Sequence, residues 1–395
     1  MTMTIDELAD HVGVKLFDYQ QHFLEALPTL GQHPRVCLYY KTGAGKSLTA
    51  LAAVALLGYD TCVVVCPPST HRQWKELGER LGVKIAPMSH ALFRRKTTKL
   101  SRTVPIIADE FHLFGGQKGQ GWRKLDKLAQ HLQAPMILCS ATPNYNDTER
   151  CYCVQHILDP HGTKGGYLQF IYQHCDTEQN PYGMEPIVTG FRNYPDAAAF
   201  LAAMPKVFYI PDDAQFTIQD ITYSERLPTE LTNVGYDRRS HRMVASLMEM
   251  RHTSRYQGLV SEDGGMYQDI LDQLYVLFKQ SPHVMVYANH ATVANDLHSC
   301  LRQEGIDAAV VTGATPKAAK EKIIQQFRQG QHHVLIGTAT LATGTDGLDR
   351  VCDMLVILDD TDDDALRRQL IGRILPRGDF VSSAGKQIIR MSPVL

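Results

Sequence analysis

The segment Lys41-Thr42-Gly43-Ala44-Gly45-Lys46-Ser47 sets two glycines, a lysine and a hydroxyl in an order suited to holding phosphate. Glycines let backbone N–H groups curl around phosphate oxygens, and a helix opening at this point adds a favourable field. Thr42, Gly43, Ala44 and Gly45 would form the cradle, Lys46 would reach the β- and γ-phosphates, and Ser47 would hold Mg2+. The stricter form of the pattern has glycine where this chain has Tyr40. Further on, Asp109-Glu110-Phe111-His112 follows the apolar run Val104–Ala108. A carboxylate at a strand's C-terminal end can hold Mg2+ through water, and its neighbour can orient an attacking water. Asp109 is therefore the expected magnesium partner and Glu110 the expected general base.

The elements that must position these residues are legible as alternating apolar runs and helix-like stretches. A first set comprises Arg35–Tyr40, Thr61–Cys66, Val104–Ala108 and Met136–Ser140; a second comprises Val284–Tyr287, Ala308–Thr312, Val334–Gly337 and Met354–Leu358. Helical spacing marks Leu48–Leu57, Ala291–Glu304, Pro316–Gln329 and Asp363–Leu375. Near-continuous apolar strands separated by helices predict parallel sheets covered on both faces, so the expected fold class is α/β with two lobes. The first lobe is expected over 1–210, with an irregular insert at 151–210; a hinge follows at 211–230, and the second lobe at 231–395.

The chain has 395 residues, 44% of them hydrophobic and 21% charged, and a net charge of −2. That balance excludes coating nucleic acid by bulk attraction, so any such contact must be a local track. One candidate exists: from Arg80 to Ala108 there is no acidic residue, but there are Arg80, Lys84, Arg94, Arg95, Lys96, Lys99 and Arg102. A run of this kind alone is usually a solvated face. No stretch approaches a membrane span, and the N-terminal residues do not read as a secretory leader. Nine cysteines, several in apolar runs, suit free thiols in a reducing cytoplasm. Cys151-Tyr152-Cys153 with His156, and His174-Cys175, lack the usual spacing of zinc ligands and are read as ordinary thiols and histidines. Asp359-Asp360 and Asp362-Asp363-Asp364 are read as a loop and an acidic first turn.

Taken in order, the motifs resemble those of superfamily-two helicases. Lys41–Ser47 resembles motif I, Asp109–His112 the DExH box, and Ser140-Ala141-Thr142 motif III, which links hydrolysis to nucleic-acid binding. The stretch Val334–Thr338 through Gly344-Thr345-Asp346 resembles motif V, and Gln369–Arg377 resembles motif VI. Phe17-Asp18-Tyr19-Gln20 is similar to the segment that reads adenine in the family. Within the superfamily, Val64 to Glu76, with its Gln73-Trp74 pair, resembles the Swi/Snf-type DNA translocases more than the DEAD-box RNA helicases.

The resemblance implies two tandem RecA-like lobes with ATP and Mg2+ in a cleft between them. It implies that Gln20, Gly344 and Asp346 join the nucleotide site, and that Gln369 and Arg373 serve hydrolysis from lobe 2. Pro376 stands where a second arginine finger is usual, which leaves Arg377 to serve by a one-residue shift. It also places Arg94, Arg95 and Lys96, with Thr312 and Thr338, on a nucleic-acid backbone. The expectation is a monomeric, nucleic-acid-stimulated ATPase that steps along a strand as a DNA translocase or helicase, DNA being expected ahead of RNA. Two other readings stand beside it. One is a recruitment protein switched by ATP, with 151–210 as partner surface; the other is the motor subunit of a restriction or repair assembly.

Overall fold

The apolar runs are the strands of two parallel sheets in the computed structural model, which describes residues 4–13, 15–41, 43–141, 148–180, 186–210, 217–224, 259, 266–342, 347–361, 364–375 and 385–394. The chain divides into two compact units, 1–213 and 214–395, each with its own sheet.

In the first unit the elements are α1 (Ile5–Val12), α2 (Asp18–Ala26), β1 (Arg35–Tyr40), α3 (Lys46–Leu56), β2 (Thr61–Val65), α4 (His71–Leu81), β3 (Lys84–Met88), α5 (His90–Arg94) and β4 (Ile106–Ala108). They continue with α6 (Gln120–Ala129), β5 (Met136–Ser140), α7 (Thr148–Leu158), α8 (Gly166–His174), β6 (Cys175–Glu178), β7 (Ile187–Phe191), α9 (Ala197–Ala202) and β8 (Val207–Ile210). The sheet order is β3-β2-β4-β5-β1-β8, with β6 and β7 forming a separate antiparallel pair. Side chains alternate across each strand. Cys37 and Tyr39 therefore join one core, with α6 and α7, while Val36, Leu38 and Tyr40 join another, with α2 and α3.

The second unit runs β9 (Ile218–Ser224), α10 (Gln268–Phe278), β10 (Val284–Ala288), α11 (Ala291–Gln303), β11 (Ala308–Val311), α12 (Lys317–Arg328), β12 (Val334–Gly337), β13 (Met354–Asp359), α13 (Asp364–Ile371) and β14 (Gln387–Val394). Its sheet order is β11-β12-β10-β13-β14-β9, again with all pairs parallel.

Two expectations are corrected, and a third, the hinge, holds the boundary between the units at 213–214 but is partly strand. Part of the expected hinge, Ile218–Ser224, is an edge strand hydrogen-bonded along β14 from Ile388 to Val394; the rest of that hinge, apart from Thr217, lies outside the described residues. The expected irregular insert is largely structural. It supplies β8, which pairs with β1 through Cys37↔Val207 to Tyr40↔Ile210, and it buries Cys153, Val154, Ile157 and Phe200. The helix expected over Asp363–Leu375 stops at Ile371, just before Gly372, a poor residue for a helix interior.

Packing of α4 on β3 depends on the bare backbone of Gly78: a Cβ there would lie 2.4 Å from both the Val83 carbonyl oxygen and Ile85 Cγ1. Alanine has the better helix propensity, by about 1 kcal/mol, but the overlap outweighs it. Gly78→Ala is expected to lower the unfolding free energy by about 1–3 kcal/mol in urea titration, the usual cost of overpacking. A gain in stability would show that propensity decides.

Candidate active site

In open parallel sheets, functional residues gather beyond the C-terminal ends of strands. The first unit follows this rule: the phosphate loop leaves β1, the acidic pair leaves β4, and Ser140 ends β5, the strand between them.

The loop is shaped by glycine where only glycine is comfortable: Gly43 and Gly45 have φ of +81° and +73°. Lys46 donates to the carbonyls of Tyr40 and Lys41 at 3.0 and 3.2 Å, so its ammonium lies under the loop. Gln20 is buried and holds the same loop. Its side-chain oxygen accepts from the Phe17 N–H at 2.9 Å, capping α2, while its amide donates to Thr49 Oγ1 at 3.0 Å and to the Ala44 carbonyl at 3.4 Å. The Tyr19 hydroxyl donates to the Ala44 carbonyl as well, at 3.1 Å. Tyr40, the departure from the strict pattern, turns its ring into the α2–α3 core and meets Tyr19 edge-on at 5.3 Å. Its hydroxyl is buried with no hydrogen-bond partner, and burial raises its pKa. Thr42 lies outside the described residues.

Asp109 is only 7% exposed, and taking a carboxylate out of water requires compensation. It accepts from the indole N–H of Trp74 at 3.3 Å and from the N–H of Glu110 at 3.0 Å. Burial and then the neighbouring Glu110 push its pKa up, opposed by the charge of Lys46. Glu110 sits at φ 48°, ψ 56°, in the left-handed region, a conformation that costs a residue with a Cβ about 1–2 kcal/mol. His112 bridges the acid and the end of β5, with Nδ1 3.2 Å from Ser140 Oγ and 3.5 Å from a Glu110 carboxylate oxygen. The two adjoining acids and the Ser47 hydroxyl of the preceding loop are oxygen donors of the kind Mg2+ takes. Asp109 and Ser47 would hold the ion, which would neutralise phosphate charge.

Sequence reasoning missed two residues here. Trp74, read as a marker of DNA translocases, is 1% exposed and spends its N–H on Asp109. His90 lies 2.9 Å from the Asp109 carbonyl through Nε2 and meets Phe114 edge-on at 5.0 Å. A carbonyl only accepts, so Nε2 carries the proton. Burial holds the His90 pKa down at about 4. A lone histidine opening a short helix carries no periodic or spacing signal that could have revealed this.

Of the expected track, Arg94 is exposed, yet its guanidinium reaches inward to the Leu113 carbonyl. Arg95, Lys96, Lys99 and Arg102 are exposed. In the second unit Thr312 and Thr338 directly follow the neighbouring strands β11 and β12 and are both buried; the Thr338 N–H donates to the Val311 carbonyl at 3.3 Å. Gln369 is buried in α13. Arg373 donates through Nε to the Ala342 carbonyl at 2.9 Å. Lys320, which sequence did not single out, donates to the Thr340 carbonyl nearby. Burial and then Arg373 lower its pKa to about 8. Arg367 is half-buried and paired with Asp360 at 3.0 Å. Gly344, Asp346 and Arg377 lie outside the described residues. Among the described residues there is no group of three or more potential metal ligands, and no helix long and apolar enough to cross a membrane.

Residues 267–377 match the family model described as Helicase conserved C-terminal domain. The chain is 24% identical over 132 residues to DEAD-box ATP-dependent RNA helicase 38 of Oryza sativa subsp. japonica, spanning only 26% of that protein's length. It is 20% identical over 376 residues to a putative ATP-dependent RNA helicase of Acanthamoeba polyphaga mimivirus, covering 88% of this chain and 82% of that one. The solved structure of S. cerevisiae Dbp5 bound to RNA and ADP BeF3 superposes with a TM-score of 0.59 at 17% identity, covering 100% of this chain and 90% of that one. The fold is therefore the tandem RecA-like helicase fold, two parallel-sheet α/β units with flanking helices.

Two outcomes test this site. A Cβ at Gly45 would lie 2.5 Å from the Gln20 amide nitrogen, at a φ disfavoured for alanine. Gly45→Ala is expected to weaken nucleotide affinity at least about tenfold, since 1.4 kcal/mol of strain suffices, as read by fluorescent-nucleotide titration. For His90, the folded pKa of about 4 lies below the ordinary 6.5. The unfolded chain therefore binds more protons in that window; the histidine's contribution is complete above about pH 6.5 and is lost as pH falls toward 4. Between pH 7 and 5 the wild type is expected to lose more thermal stability than His90→Phe; equal losses would contradict the assignment.

Proposed function

We propose that this chain is an ATPase whose turnover is stimulated by nucleic acid, with RNA as the stimulating polymer. The observation that carries it is the joint placement of the Gly43–Ser47 loop after β1 and Asp109-Glu110 after β4 at one sheet end, in a chain whose residues 267–377 match a helicase domain. Lys46 binds phosphate, Ser47 and Asp109 hold Mg2+, and Glu110 orients the attacking water. Gln20 with Gly43–Gly45 shapes the nucleotide site in the first unit, and the motif resemblance assigns nucleotide binding to Thr42, Gly344 and Asp346 as well. Gln369, Arg373 and Arg377 serve hydrolysis from the second unit. Arg95 and Lys96 contact the nucleic-acid backbone with Thr312 and Thr338; Arg94, bonded to the Leu113 carbonyl, supports that segment. Contacts of this kind carry no base information, so binding is independent of sequence.

The choice of RNA reverses the preference read from the motifs. It is supported by the relatives, which are RNA helicases by name. Trp74, part of the stretch behind the DNA reading, is buried and bonded to Asp109. Stepping along the strand is proposed on the same footing, with ATP-driven changes in the grip on RNA.

ATPase rates with single- and double-stranded RNA and DNA test the reading. RNA is expected to raise kcat, and Lys46→Ala is expected to cut it about 100-fold or more, as removal of a charge-stabilising donor does. Stimulation by DNA alone would restore the translocase reading, and no stimulation by either polymer would overturn the motor.

A further inference from the structure

We infer that helix α5 rigidly couples the exposed cationic segment to the acidic pair, with His90 as the positioning residue. This rests on the nucleic-acid reading of Arg95 and Lys96. A five-residue helix cannot hold itself in water, so its place is set by what it touches. Both of its ends are fastened to the segment that begins with the acids. At the N-terminal end, His90 Nε2 donates to the Asp109 carbonyl at 2.9 Å. At the C-terminal end, the Arg94 guanidinium donates to the Leu113 carbonyl. Between these, the rings of His90 and Phe93 meet Phe114 edge-on at 5.0 and 5.4 Å.

The cationic segment is fastened to the same helix. Thr98 Oγ1 donates to the Leu92 carbonyl at 2.8 Å, turning the chain back on α5. Lys124, on α6, donates to the carbonyls of Arg95 and Thr98 at 2.6 and 2.8 Å and lies over the Phe93 ring at 5.3 Å. Arg95 and Lys96 thus project from a backbone pinned on two sides. Asp109, at the far end, is held by its carbonyl from His90 and by its carboxylate from Trp74. A load on the cations therefore reaches the backbone of Asp109 through hydrogen bonds and packed rings, with no unpinned stretch between them. The ratio of stimulated to unstimulated turnover measures this coupling.

The full-length chain is assayed for kcat and KM of ATP with and without saturating oligouridine, and its oligouridine affinity is read by fluorescence anisotropy. His90→Phe keeps the ring against Phe114 and removes the donor; His90→Gln keeps a donor. In His90→Phe the stimulation ratio is expected to fall about tenfold, in the range seen when groups that orient a ligand carboxylate are removed. Oligouridine affinity should stay within about twofold of wild type, KM for ATP should be little changed, and His90→Gln should recover most of the ratio. Lys124→Met, remote from Asp109, carries the same expectation for the ratio and serves if His90→Phe does not fold. An unchanged ratio in either folded variant, including a parallel fall of both rates, overturns the coupling while leaving the proposed function intact. A wild type that no nucleic acid stimulates overturns both, and is recognised before any variant is made.

Discussion

A carboxylate buried at the end of a central strand has few ways to remain, and the first unit is arranged around supplying them to Asp109. Trp74 reaches across from α4 with an N–H, Lys46 contributes opposing charge from beneath the phosphate loop, and His90 secures the backbone behind it. Each comes from a different segment, so the site's geometry is a property of the whole sheet and its covering helices. Removing one partner from a buried charge exposes the full desolvation cost of the group, whereas the intact set only offsets it.

The phosphate loop shows the same economy in a less polar setting. Gln20 caps its own helix with one end of the amide and braces the loop with the other, and Tyr19 bonds the same Ala44 carbonyl. The loop's shape is thus fixed from the α2 side by groups far away in sequence. Tyr40 fits because the strand's alternation turns its ring into the core, edge-on to Tyr19.

Most interior strands were legible because they are apolar on both faces, and the motif residues because they follow those strands; interior β14, interrupted by Arg390 and Ser392, was not. Much else that escaped notice was at an edge or alone. β3 carries exposed Lys84 and Ala86, β8 is only half-buried, and β9 was hidden inside a stretch rich in turn signals. Edge strands bury one side at most, so their pattern is diluted. Trp74 and His90 were illegible for another reason: their roles are contacts with Asp109 across 35 and 19 residues of chain. The motif template supplied a partner class for Trp74, and burial supplied a different task.

Glu110 holds a left-handed backbone without glycine's freedom. Two selective pressures therefore pull against each other at this one position. Selection for heat resistance alone would favour glycine or asparagine there, which adopt that conformation at less cost. With the proposed role of Glu110 in orienting water, selection for turnover would restore the carboxylate together with its cost. A lineage evolving at high temperature would have to recover the difference elsewhere in the lobe, and the cold-adapted one would not.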